Sequence, residues 1–190
     1  LLAAACCFTV FPFLWMAVSS LKTKAEVMAA DAFLPSTPQY GNYLEIVFHS
    51  PIPRYLANSL LVAVSVAAIQ VICCSFFAYG VTFMRIRGRD MLFRLVLFTY
   101  MVPTAVTYIP CYIILSRLGL LDSYQGLILS NGVSVLGIFL LRQAFEAVPM
   151  ETMEAARMDG AGHFRILTGV VFPMTRPSFA TFILLSFINT

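Results

Sequence analysis

Four long apolar stretches, parted by short polar or proline-rich ones, set the pattern of this chain. They run from Leu1 to Leu21, from Asn58 to Met84, from Met91 to about Leu115 and from about Tyr124 to Leu141. An α-helix rises 1.5 Å per residue, so a ~30 Å hydrocarbon layer needs about 20 mostly apolar residues. Each stretch therefore predicts a membrane-crossing helix. A fifth begins at Ser178 and reaches the last residue, Thr190, after 13 positions, too short to cross. The chain also opens inside an apolar run, so both ends read as those of a fragment of a longer protein. Leu1–Leu21 is longer than the apolar core of a secretory leader, has no basic segment before it and precedes another span, which favours a span over a leader.

Composition narrows the class. Hydrophobic residues make up 60% of the chain and charged residues 11%, with a mean hydropathy of +0.87. Soluble domains carry about 25% charged residues, so the polar surface needed to cover a water-soluble particle is missing. The expected fold class is an all-α integral membrane protein, a polytopic helical bundle with four full transmembrane helices and a truncated fifth. Cys6, Cys7, Cys73, Cys74 and Cys111 all fall in apolar runs without metal-ligand spacing. They are expected to be buried small hydrophobes and not a disulfide framework.

The placement of charge orients the spans. Arg85, Arg87, Arg89 and Arg94 follow the second span, and Arg142, Arg157, Arg165 and Arg176 follow the fourth; the opposite side holds Lys22, Lys24, Arg54 and Arg117. Eight against four puts the arginine loops in the cytosol. Residues 22–57, with Pro35, Pro38, Pro51 and Pro53, then form an extracytoplasmic segment.

Residues 143–177 are the longest cytosolic loop and read as two short helices. Pro149 suits a first turn, Glu151 and Glu154 fall early and Arg157 late, as the helix dipole prefers, and Gly160 can end the helix in a left-handed conformation. Ala155 and Ala156 keep this helix slim enough for a partner to approach its backbone. The second helix, about His163 to Phe172, places Phe164, Leu167 and Val171 on one apolar stripe, widened by Ile166 and Val170. Pro173 and Pro177 stop it and allow a turn into the fifth span. By pattern alone, an amphipathic connector lying on the membrane surface fits as well.

Glu154-Ala155-Ala156, three residues, Gly160, nine residues, Val170, one residue, Phe172-Pro173 resembles the loop of binding-protein-dependent ABC importer permeases. That family pattern is Glu-Ala-Ala, three residues, Gly, nine residues, Ile, one residue, Leu-Pro, and Val170 and Phe172 keep its apolar character. Phe11-Pro12, Ser19 to Thr23, Asn58-Ser59-Leu60, Pro103, Pro110 and Gly137 to Gln143 extend the resemblance over nearly the whole chain, toward the carbohydrate-uptake (maltose/glycerol-3-phosphate type) branch. The resemblance implies an ABC importer type I permease fold with six spans, in which residues 1–190 are one transmembrane domain lacking the rest of the fifth span and the sixth. It implies that residues 143–177 are a coupling loop that docks into an ATPase, with Glu154, Ala155, Ala156, Asp159, Gly160, Phe172 and Pro173 at the coupling surface. Glu154 would be the polar anchor, Gly160 the turn between the two short helices, and Phe172-Pro173 the join to the fifth span. The implied partners are two ABC ATPase subunits, a second homologous permease subunit, an extracytoplasmic solute-binding protein facing about Met28 to Ile52, and membrane lipid, with no nucleic acid. Sugars or related polyol phosphates would cross a bacterial-type cytoplasmic membrane by alternating access.

No Gly-x-x-x-x-Gly-Lys-Ser/Thr loop occurs in the chain. No cofactor is expected on this subunit, ATP being bound by the partner ATPase subunits, and it is not expected to be an enzyme by itself. The two histidines, His49 and His163, form no metal or nucleophile motif, and His163 reads as a solvated or interface residue. No charge lies deep in a span, with Arg94 one turn inside and able to snorkel, which argues against ion-driven transport. Gln70, Tyr108, Tyr112, Ser130 and Asn131 are candidates to line a translocation path, since amides and aromatic faces suit sugars. Hydrogen bonds that hold the bundle together are an equal reading of the same residues. Pro103 and Pro110 are expected to kink the third span. Two rival functions stay open: import of another cargo (amino acid, peptide or metal), and a non-transporting membrane scaffold that docks a cytosolic partner.

Overall fold

The structure, a computed structural model, describes residues 2–29 and 33–190, with side chains from Cys6 onward. Leu1, at the head of the expected first span, and residues 30–32, inside the expected outer segment, lie outside the described residues. All regular structure among the described residues is helical. The chain divides into two compact units, Leu1–Asn58 and Ser59–Thr190.

The first unit holds α1 (Leu2–Ser19), α2 (Lys24–Ala29) and α3 (Gly41–His49). Phe8, Phe13 and Met16 of α1 are exposed, the pattern of a helix whose apolar faces meet lipid instead of protein. Hydrogen bonds close the chain after α1: Asn42 Nδ2 donates to the carbonyls of Ser20 and Lys22 at 3.0 and 3.1 Å. Gln39 N–H donates to the Leu21 carbonyl at 2.8 Å. The Lys22 ammonium lies 4.7 Å from the Trp15 ring centre, a cation–π contact that lets a buried lysine sit beside apolar surface.

Thr23 and Glu26 form a capping box on α2. Thr23 N–H donates to Glu26 Oε2 at 2.9 Å, and Glu26 N–H donates back to Thr23 Oγ1 at 3.3 Å. Ser36 N–H reaches the other carboxylate oxygen at 3.1 Å. Hydrogen bonds from Ser36 and Thr23 favour the ionised carboxylate and lower its pKa from 4.5 to about 2. A depressed carboxylate pKa contributes stability above the unfolded value that is lost as pH falls through the folded one, so this cap weakens between about pH 4.5 and pH 2. An NMR titration should place the Glu26 midpoint near the lower limit, and Glu26→Gln should remove the pH dependence of the amide shifts of residues 23–26; an ordinary midpoint would show the cap absent in solution.

α4 (Ile52–Phe83) begins in the first unit and organises the second; among the described residues it is the one unbroken helix long and apolar enough to cross a membrane. It starts six residues before the expected Asn58 because Pro53 falls in the first turn, where its missing N–H costs no intrahelical bond. The expected third span is two helices, α5 (Arg89–Tyr100) and α6 (Thr104–Arg117), bent by 99°. Pro103 makes that break as the N-cap of α6, whereas Pro110 stays inside α6. The expected fourth span is α7 (Tyr124–Ser130) and α8 (Val135–Glu146), bent by 50°, with Ser134 capping α8 by accepting from Gly137 N–H at 3.1 Å. Among the described residues, counting each bent pair as one span, His163–Met174 with Arg176–Asn189 included, gives up to four, and Cys6–Ser19 of the expected first span counts only as a shorter apolar helix.

The core gathers Cys74, Ala78 and Tyr79 of α4, Phe93 of α5, Ile138, Leu141 and Phe145 of α8. Of the five cysteines only Cys74 is buried; Cys6, Cys7 and Cys73 are exposed and Cys111 is half-buried. The expectation of five buried cysteines fails because a span faces lipid over much of its girth, and apolar side chains need no protein cover there. Arg142 ties α8 to α5: its guanidinium carbon lies 3.9 Å from the Phe93 ring centre, and it pairs with Asp90 at 3.4 Å and Glu146 at 2.8 Å.

Candidate functional site

The loop from residue 143 onward folds into α9 (Met150–Met158), a turn, and a helical stretch His163–Met174. Pro149 is the N-cap of α9, and its fixed backbone starts the helix without a side-chain cap. Met153 is fully buried and Ala156 packs on the same core, so α9 is held by that face. Glu154, Ala155 and Asp159 are exposed. Among the described residues none hydrogen-bonds or ion-pairs with the Glu154 carboxylate. A short helix is thus fixed by its apolar face while a carboxylate and a small side chain point to solvent.

Gly160 ends α9 with φ +78°. Its N–H donates to the Arg157 carbonyl at 3.0 Å and the Ala161 N–H to the Ala156 carbonyl at 3.0 Å, the paired bonds of a Schellman turn. A Cβ at Gly160 would meet nothing within 4 Å, so its backbone conformation, and not crowding, is what asks for glycine here.

Two long-range contacts tie this loop to the end of α4. Arg157 Nη2 donates to the Phe83 carbonyl at 3.4 Å, and the Tyr79 hydroxyl lies 3.1 Å from His163 Nδ1. His163 is exposed, as expected, but bonded to α4.

The helical stretch after Gly162 contains α10 (His163–Ile166), a π-helical segment (Leu167–Val171) and α11 (Phe172–Met174). Phe172 N–H donates to the Leu167 carbonyl, five residues back. In a regular α-helix the Pro173 ring would press on the carbonyl of residue 169; the wider π turn opens that spacing. The buried stripe also differs from the expected one. Ile166, Leu167 and Val171 are buried and Val170 is half-buried, but Phe164, expected on the stripe, is exposed and stacks on Phe76 with ring centres 6.4 Å apart. Phe172 is exposed and Pro173 half-buried. The 88° turn into α12 (Arg176–Asn189) falls at Thr175, two residues after the expected join at Phe172-Pro173. Thr175 Oγ1 donates to the Val171 carbonyl at 2.7 Å there.

A polar centre lies elsewhere in the same unit. Gln70 Nε2 donates to the Asn131 carbonyl at 2.6 Å, and Ser186 Oγ donates to Gln70 Oε1 at 2.8 Å. Gln70, Asn131, Ser134 and Ser186 line a cavity of about 80 Å³ with Phe182 of α12. Gln70 therefore joins α4, the α7–α8 break and α12, the bundle-holding arrangement expected as the equal reading. The Asn131 and Ser130 side chains both turn back to the Leu127 carbonyl. Tyr108 and Tyr112 do not join this centre and are exposed on α6. Ser186, Tyr79 and the structural roles of Met153 and Arg157 escape a reading of local pattern, since each depends on a partner distant in sequence.

Residues 70–190 match the family described as "Binding-protein-dependent transport system inner membrane component". The sn-glycerol-3-phosphate transport system permease protein UgpE of Brucella suis is 32% identical over 185 residues, covering 93% of this chain and 66% of that protein. The osmoprotective compounds uptake permease protein GgtD of Synechocystis is 32% identical over 186 residues, covering 93% and 62%. The chain thus spans less than two thirds of the length of these relatives. A solved structure of a bacterial ABC transporter involved in the import of the acidic polysaccharide alginate contains a chain that superposes with a TM-score of 0.89 at 28% identity, covering 99% of this chain and 67% of that one.

Proposed function

Because the chain belongs to the family of binding-protein-dependent transport system inner membrane components, we propose that it is the membrane-spanning permease subunit of an ATP-driven importer. The observation that carries this reading is α9, which is seated in the core by Met153 and ended by Gly160 while Glu154 and Ala155 stay exposed. Such a helix can transmit a push from a cytosolic partner because it is fixed to the bundle and free on its outer side. Arg157 at the Phe83 carbonyl and His163 at Tyr79 give that push a route into α4.

The partners are two ATPase subunits that bind and hydrolyse ATP, a second permease subunit and an extracytoplasmic solute-binding protein. The cargo is a sugar or a polyol phosphate; the glycerol-3-phosphate relative supports that class. Gln70 and Asn131 are the path candidates that line a cavity together, whereas the exposed tyrosines Tyr108 and Tyr112 sit apart from it. Capture of candidate ATPase subunits by the full-length protein from membranes tests the reading, with ATP hydrolysis followed as cargo-loaded binding protein is added. Capture together with sugar- or polyol-phosphate-stimulated hydrolysis is expected. Failure to retain any ATPase would return the scaffold reading.

A further inference from the structure

We propose that the face of α4 turned toward His163–Met174 binds an anionic phospholipid, its acyl chain in an apolar groove and its phosphate in a basic pocket at the groove's end. The groove, about 470 Å³, lies among Val71, Ile72 and Phe76 of α4 and Phe164, Thr168 and Phe172 of the loop. The pocket, also about 470 Å³, is lined by Arg85, Arg157 and His163 with Phe83, Met84 and Ile86. Ile72, Phe76, Tyr79 and Phe83 recur at helical spacing along one stripe of α4, so the two cavities follow one another on the same face. The neighbours His163 and Phe164 divide between them, the imidazole lining the basic pocket and the phenyl ring the apolar groove.

No carboxylate lines the pocket. Among the described residues both ion pairs belong to Arg142, so the charges of Arg85 and Arg157 are left without a carboxylate partner. Arginines gathered at the end of a span attract anionic headgroups. A free phosphate would satisfy the pocket and leave the groove empty. A helix of another subunit would cover the groove and bring no anion. An amphiphile with a negative head satisfies both, and by touching Arg85 and Arg157 it would bridge α9 to the end of α4. This inference rests on the membrane location of the family and not on the coupling role of α9.

The test uses the full-length protein in its assembled transporter, reconstituted in nanodiscs of phosphatidylethanolamine with phosphatidylglycerol, with retained lipid read by native mass spectrometry. Phosphatidylglycerol should be retained selectively, and Arg85→Gln should lower its retention by about fivefold. Arg85→Lys, which keeps the charge, should retain it. Thr168→Trp, which fills the groove, should lower it, and Arg87→Gln, outside the pocket, should leave it unchanged. Equal losses in Arg85→Gln and Arg87→Gln would reduce the effect to diffuse surface charge and overturn the site. Retention unaffected by Thr168→Trp, or displacement of the lipid by inorganic phosphate, would overturn the acyl half and leave a plain anion site. A helix of the second permease seated in the groove of the assembled transporter would overturn the proposal outright.

Discussion

Charge reversal at Glu154 is expected to lower uptake by about 30-fold or more while membrane insertion and thermal stability stay unchanged. The separation follows from the surroundings of the residue. Glu154 is exposed on α9 and no described residue pairs with its carboxylate, so nothing inside the subunit is lost when it becomes lysine; exposed substitutions of this kind shift stability by no more than about 0.5 kcal/mol. Truncating one partner of a buried, hydrogen-bonded charge pair at an interface costs about 2–5 kcal/mol, and a reversed charge adds repulsion. The check is uptake of labelled cargo by cells carrying Glu154→Lys, beside the melting temperature of the purified complex. Full uptake would remove Glu154 from the coupling surface, and a collapse of stability would mean that α9 is held by contacts through this residue.

Gly137→Ala is expected to destabilise the bundle, with a larger loss for Gly137→Val. A Cβ at Gly137 would fall inside contact distance of Phe182 Cε2 and Cζ. Phe182 is 2% exposed on α12 and belongs to the same core as Phe145 and Phe179, so its ring can yield only toward the small cavity that it lines with Gln70 and Ser186. Glycine at this position lets α8 and α12 approach closely, as small residues do between membrane helices. Overpacking of a filled core costs about 1–3 kcal/mol, a drop of several degrees in melting temperature for a domain of this size. Phe182→Leu should restore part of the loss when combined with Gly137→Ala. An unchanged melting temperature for the single substitution would show that the two helices separate freely at this point.

Features that close within a few residues were the legible ones. Gly160 announced its turn because the Schellman bonds span only residues 156–161. The apolar runs announced the helices because length and hydropathy are local sums. Bends were harder. Pro103 and Pro110 carry the same signal, yet only Pro103 breaks the helix. Before Pro103, α5 has already ended in tight bonds from Met101 to Phe98 and from Val102 to Thr99, whereas Pro110 has regular helix on both sides. Asn131-Gly132 before Ser134 is a turn signal followed by a cap, hidden here by the hydropathy of the surrounding run. The Thr23 to Glu26 capping box was readable in the same way. Gln70 could not be assigned between path and bundle because its partner, Ser186, lies 116 residues away. A regular 3.6-residue period puts Phe164 on the stripe with Leu167 and Val171, but Phe164 turns outward onto Phe76, a partner 88 residues away that the period does not reveal.

The π-helical segment has a further consequence for how such a subunit is aimed. Removing one residue from positions 168–170 would return the π turn to a regular α-helix. A π turn takes up one residue more than an α turn for nearly the same rotation, so the helix before the deletion would keep its azimuth relative to α12. The same deletion in a regular α-helix would swing that part by about 100°, so the π turn absorbs a residue that would otherwise re-aim α9. One codon can therefore be lost at this point while α9 and every side chain on it keep their aim.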